Sequence, residues 1–210
     1  MSSSEKTDTV PAQQTNQFPI NGLILAGGRS SRMGKEKRLI VYHQLPQQEY
    51  LFTLLTEFCN HVYTSCKLNQ EIPTELNPLP DHFEVDSPLN GILSAFHHDS
   101  SHAWLTVPVD MPMIDRIVIQ FLLQHRDPEK IATCYFDSDG KNPEPLFALW
   151  EAHAAKPLLK FYEAGNFSPR DFLNQSDIKL ITVPHPDYLL NANTPDEVKL
   201  WQRISRSRKR

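Results

Sequence analysis

The chain is poor in the features that make most functional classes easy to recognise. Its three cysteines, Cys59, Cys66 and Cys134, are unevenly spaced and contain no Cys-x-x-Cys pair. That argues against a disulfide framework or a zinc knuckle and suits a reducing cytoplasm. No stretch reaches the apolar length of a membrane-spanning helix. Met1 to Gln17 is rich in Ser, Thr and Gln without the apolar centre of a secretory signal, and reads as a disordered leader. A net charge of −4 over 210 residues supplies no global field for nucleic acid, so any polyanion site is local. The common phosphate motifs are missing too. Gly28 and Gly34 have five residues between them and Lys35 precedes Glu36, so there is no P-loop, and no register gives Gly-x-Gly-x-x-Gly.

What is present is concentrated in Leu23 to Lys37, Leu-Ile-Leu-Ala-Gly-Gly-Arg-Ser-Ser-Arg-Met-Gly-Lys-Glu-Lys. An apolar strand runs into paired glycines, which allow a sharp turn and a close approach of backbone N–H groups to an anion. Arg29, Arg32, Lys35 and Lys37 add cationic donors suited to phosphate oxygens. The second informative stretch is Leu105 to Ile114, an apolar strand that ends in Asp110 before Pro112 turns the chain away. Ligands of open α/β sheets sit at the carboxyl ends of strands, so Asp110 and the glycine loop could face one crevice. A carboxylate there suits Mg²⁺, which takes oxygen ligands and shares them with substrate phosphates.

The remaining pattern alternates strand and helix as in a doubly wound parallel sheet. Strands are predicted at 22–25, 61–65, 103–109, 131–136, 146–150 and 179–183, and helices at 47–60, 88–96, 115–125, 152–164 and 195–204. Asp115 sits near a helix start, and Pro195 takes a first helical position. The proline-rich segment 73–80 reads as a loop, and nearly all 17 prolines fall in predicted loops. One domain is expected over residues 19–204, with 1–18 as leader and 205–210 as a basic, solvated tail. His97, His98 and His102 lack an established metal-ligand spacing and read as a solvated linker.

Leu25 to Lys37 fits Leu-Ala-Gly-Gly-x-x-x-Arg-Met-Gly-x-x-Lys, and by this signature the chain resembles nucleotidyltransferases of the molybdenum cofactor guanylyltransferase type. The resemblance implies a Rossmann-like α/β fold with the mostly parallel sheet of the nucleotide-diphospho-sugar transferase type. It implies transfer of GMP from GTP to the phosphate of molybdopterin, with Mg²⁺ as cofactor and molybdoenzyme-maturation proteins downstream. Arg32, Lys37 and Asp110 would be catalytic. Leu25, Ala26, Gly27, Gly28, Lys37, Asp81 and Asp110 would bind the nucleotide, and Asp110 with Asn193 would hold the metal. Arg29 and Lys35 are treated as dispensable.

Asp81 is placed by counting back from Ser87-Pro-Leu, where Ser87 replaces the family's glycine, and Asp86 is a rival acid. Cys66 stands at about the place of a family asparagine, and Trp150 at that of a tyrosine. Arg170, in Ser-Pro-Arg, is read either as an acceptor-phosphate contact or as a surface arginine. A nucleotidyltransferase using CTP or a sugar phosphate, and a non-catalytic nucleotide-binding domain, are the competing readings. No nucleophilic triad is evident, so catalysis is expected to rest on positioning and charge stabilisation.

Overall fold

A computed structural model describes residues 19–26 and 36–208. The glycine-rich signature from Gly27 to Lys35 lies outside the described residues, as does the leader 1–18. Seven strands form one sheet: β1 (Ile20–Leu25), β2 (Val62–Cys66), β3 (Pro78–Pro80), β4 (Ala103–Pro108), β5 (Ala132–Phe136), β6 (Pro143–Trp150) and β7 (Lys179–Ile181). Their order is β3-β2-β1-β4-β6-β5-β7. All pairings are parallel except those of β6, which is antiparallel to β4 and β5. The helices are α1 (Gln47–Leu55), α2 (Leu89–His98), α3 (Arg116–Gln124), α4 (Ala155–Glu163), α5 (Pro169–Asn174) and α6 (Pro195–Arg208).

Side-chain alternation along β1 divides the core in two. Ile20 and Ile24 join the cluster containing Leu51 of α1, Ile119 of α3 and Trp201 of α6. Leu23 and Leu25 enter the opposite cluster with Ile92 of α2, Leu158 of α4 and Phe172 of α5. Both faces are therefore covered, as the continuous apolar run of this strand requires. Leu23 and Ile24 are fully buried, and each contributes roughly 1.5–3 kcal/mol by leaving water. Asp115 caps α3 by accepting from the N–H groups of Ile117 and Val118 at 2.9 and 3.2 Å.

Proline misleads the sequence reading in two places. The segment 73–80 is not all loop, because Pro78–Pro80 forms an edge strand that among the described residues pairs with β2 alone. An edge strand tolerates residues that cannot donate to a ladder. β6 begins at Pro143, three residues before the predicted start; Pro143 and Pro145 precede the part that pairs with β4, beside the irregularity opposite Cys134 and Phe136. The turn into β6 is closed by Gly140 at φ 68°, which an L side chain rarely adopts. α5 was not anticipated. It starts where the Ser168 hydroxyl accepts from the Asp171 N–H, with Pro169 in the first turn. α6 runs to Arg208, so helix replaces the start of the expected tail. Among the described residues no helix is long and apolar enough to cross a membrane.

Candidate active site

Because β1 to β4 are parallel, their carboxyl ends open on one edge of the sheet. The residues that follow them, Ala26, Lys67, Asp81 and Asp110, are brought to that edge although they are scattered in sequence. A cavity of about 660 Å³ lies there, lined among others by Leu25, Lys37, Ser65, Lys67, Asp81 and Asp110. Asp110 and Asp81 follow β4 and β3, three strand spacings apart in the sheet order. At the usual spacing this separates the two ends of the cavity by roughly 14 Å.

At the β4 end, Lys37 Nζ donates to Asp110 Oδ2 at 3.2 Å and also to Asn193 Oδ1. Residues from the first loop, the fourth strand and the entry to the last helix thus meet at one ammonium. Two features hold them. The Ala192 N–H donates to the Asp110 carbonyl at 2.7 Å, fastening the loop before α6 to the end of β4. Glu197 accepts from the N–H groups of Asn193 and Thr194 at 2.7 and 2.8 Å, while the Glu197 N–H meets Thr194 Oγ1 at 3.3 Å. This is a capping box. Capping is therefore done by Thr194 and Glu197, and the Asn193 side chain is left for Lys37. Asp110 and Asn193 offer a carboxylate and an amide oxygen, both hard donors, and already accommodate a cation between them; this donor set fits Mg²⁺.

At the β3 end, Asp81 is half-buried and accepts from the Ser65 hydroxyl at 3.4 Å. Burial pushes its pKa above the usual carboxylate range, against the lowering effects of Ser65 and Lys67. Asp86 also lines the cavity but is more exposed, and pairs with Lys67 Nζ at 2.9 Å. The rival acids therefore share one chamber with different partners. Asn90, buried at the start of α2, accepts from the Phe83 N–H at 3.1 Å and donates to the Val85 carbonyl at 3.0 Å, shaping the loop between them.

The other residues singled out from the sequence fall in varied surroundings. The side chain that reaches the cavity from the end of β2 is Ser65, not Cys66; alternation along the strand turns Cys66 away. Ser87 needs no glycine-like backbone, since Gln44 and Asn77 are the non-glycine residues at positive φ among those described. Its hydroxyl instead donates to the Phe167 carbonyl at 2.6 Å. Trp150 is a core residue whose Nε1 donates to Thr106 Oγ1 at 3.2 Å. Arg170 is partly exposed and pairs with Asp137 at 3.1 Å, with Glu144 at 4.0 Å. His97 stacks on His82, His98 meets Tyr63, and His102 pairs with Asp99, so the three histidines engage separate neighbours. Gly27, Gly28, Arg29, Arg32 and Lys35 lie outside the described residues. Ser65, Lys67 and Asn90 were missed, since lone polar residues at strand and helix ends carry no motif.

The floor of the cavity is tight at Gly91. A Cβ there would lie 2.6 Å from Ser65 Oγ and 3.0 Å from a Leu25 methyl. Gly91→Ala is expected to turn the Ser65 hydroxyl away from Asp81, with roughly 1–3 kcal/mol of overpacking strain. A thermal melt of the variant beside the wild type would measure that strain.

A model of the MobA-like NTP transferase domain matches residues 22–179. A molybdenum cofactor guanylyltransferase of Pseudomonas aeruginosa (strain LESB58) is 34% identical over 188 residues, covering 85% of this chain and 92% of that protein. A molybdenum cofactor biosynthesis bifunctional protein of Synechocystis is 32% identical over 185 residues. That match takes in 87% of this chain but spans only 53% of the longer protein. The crystal structure of molybdopterin-guanine dinucleotide biosynthesis protein A from Archaeoglobus fulgidus shares the fold, with a TM-score of 0.74 at 20% identity, covering 89% of this chain and 99% of that one.

Proposed function

We propose that this chain, which belongs to the family of MobA-like NTP transferase domains, transfers GMP from GTP to the terminal phosphate of molybdopterin with Mg²⁺ as cofactor. The observation that carries the reading is the meeting of Lys37, Asp110 and Asn193 at one end of a cavity whose other end is lined by Asp81. In the reaction an oxygen of the acceptor phosphate attacks the α-phosphorus of GTP. The bond from that phosphorus to the bridging oxygen breaks, and pyrophosphate leaves with the electron pair.

No covalent nucleophile is needed from the protein, as in other phosphoryl transfers, so its residues position charge. Lys37 Nζ is at the metal end of the cavity, where it can donate to a phosphate oxygen of the triphosphate. Arg32 is assigned to the same triphosphate on its place in the signature alone. Asp110 and Asn193 would hold Mg²⁺, which when bound supplies positive charge to the α-phosphate and acceptor oxygens. Leu25 lines the nucleotide's path, Ala26, Gly27 and Gly28 are assigned to the nucleotide on their place in the signature, and Asp81 faces the far end of the nucleotide. The three cysteines are free, which suits a reducing cytoplasm. The product dinucleotide would serve molybdoenzyme-maturation proteins.

Incubation with Mg²⁺, molybdopterin and each nucleoside triphosphate in turn is expected to release pyrophosphate with GTP. Turnover confined to CTP, or to a sugar-phosphate acceptor, would overturn the guanylyl assignment. Tight GTP binding without turnover would identify a binding domain instead.

A further inference from the structure

We infer that Lys67, acting with Asp86 and Asp81, reads the hydrogen-bonding edge of the nucleobase and sets the preference for guanine. This rests on the reading above, in which a nucleotide lies along the cavity with its phosphates toward Lys37 and Asp110. The two ends lie three strands apart, about the reach of a nucleotide from α-phosphate to base edge. Lys67 follows β2 and Asp81 follows β3, so both belong to the end away from the transfer chemistry. Neither Lys67 nor Asp86 has a part in that chemistry, yet both line the cavity.

The chemistry of this end matches one base edge. Guanine presents an acceptor at O6 and donors at N1 and N2. An ammonium has three donors and no acceptor, and an ionised carboxylate only accepts. Lys67 beside two carboxylates therefore complements guanine. Adenine presents a donor where guanine has O6 and an acceptor at N1, so it sets donor against donor and acceptor against acceptor. Without a nucleotide, Lys67 and Asp86 pair with each other at 2.9 Å.

Opening that pair is cheap. The two side chains are 50% and 69% exposed, and exposed ion pairs are worth little. A base seated over these groups excludes water from them, so an edge that fails to replace the lost partners leaves covered polar groups unmatched, and discrimination of this kind reaches factors far above ten. Phe83 and Val85, lining the same end, supply apolar surface for the faces of the base.

The test is equilibrium titration of the full chain with GTP and ATP, in wild type, Lys67→Met and Lys67→Arg, with thermal melts on each. Wild type is expected to prefer GTP. Lys67→Met should weaken GTP binding by tenfold or more while leaving ATP unchanged or tighter, and Lys67→Arg should restore most of the preference. If the methionine variant folds and weakens both nucleotides equally, or keeps the wild-type ratio, Lys67 does not read the base and the inference is overturned. A wild type that prefers ATP overturns the guanylyl reading itself, a result visible without any variant.

Discussion

Asp110→Asn lowers pyrophosphate release by roughly a thousandfold, the scale expected when a charge that stabilises a phosphoryl-transfer transition state is removed. It should do so while scarcely moving the thermal melt. The stability expectation follows from how Asp110 is held. Its backbone carbonyl, which accepts from Ala192, is untouched by the substitution. Its side chain lines the cavity and pairs with Lys37, both groups being about one-fifth exposed. Such a partly hydrated pair contributes little to folding. Asparagine keeps one oxygen within reach of Lys37 but supplies no negative charge to a divalent cation. The measurement is a pyrophosphate assay with GTP and molybdopterin beside a melt of the same preparation. A variant that turns over at near wild-type rate would remove Asp110 from the chemistry; one that unfolds would make it structural.

How much of this was readable in advance depends on whether the signal was local. β1 is a continuous apolar run, and Asp115 is a capping residue just before an apolar helix, so neighbours in sequence state the outcome. Asp110 was legible for the same reason, being a single acid at the end of an apolar strand with proline two residues on. Asn193 was half-legible. Its segment looked like a helix start, which it is, but the cap falls to Thr194 and Glu197. Nothing local says that the Asn193 amide turns instead to Lys37, 156 residues away.

The β3 end of the cavity was less readable still. Choosing between Ser65 and Cys66 requires the phase of alternation along β2, which depends on its register with β1. Lys67 and Asp86, 19 residues apart, meet because β2 and β3 are parallel neighbours. Proline content pointed away from β3 because propensity describes the average strand, whereas an edge strand paired on one side leaves room for residues without an N–H.

Lys37→Met should produce two effects of opposite direction. Pyrophosphate release should fall about a hundredfold or more, because the triphosphate loses a cationic donor that acts on developing charge. Binding of Mn²⁺, used as a spectroscopic stand-in for Mg²⁺, should meanwhile rise in the absence of nucleotide. In the free protein the Lys37 ammonium donates to both Asp110 and Asn193, so a divalent ion must compete with a tethered cation for the same two oxygens. Methionine keeps a comparable apolar stem and removes that competitor. With GTP present the wild-type lysine can turn to phosphate instead, leaving the oxygen pair to the metal. The gain in the variant should therefore be largest without nucleotide and shrink with it. Electron paramagnetic resonance of free Mn²⁺, titrated with wild type and variant with and without GTP, reads this directly. Equal Mn²⁺ affinity of the two nucleotide-free proteins would show that the ammonium does not guard the site. Mn²⁺ binding that persists in the Lys37→Met, Asp110→Asn double variant would move the metal away from Asp110 altogether.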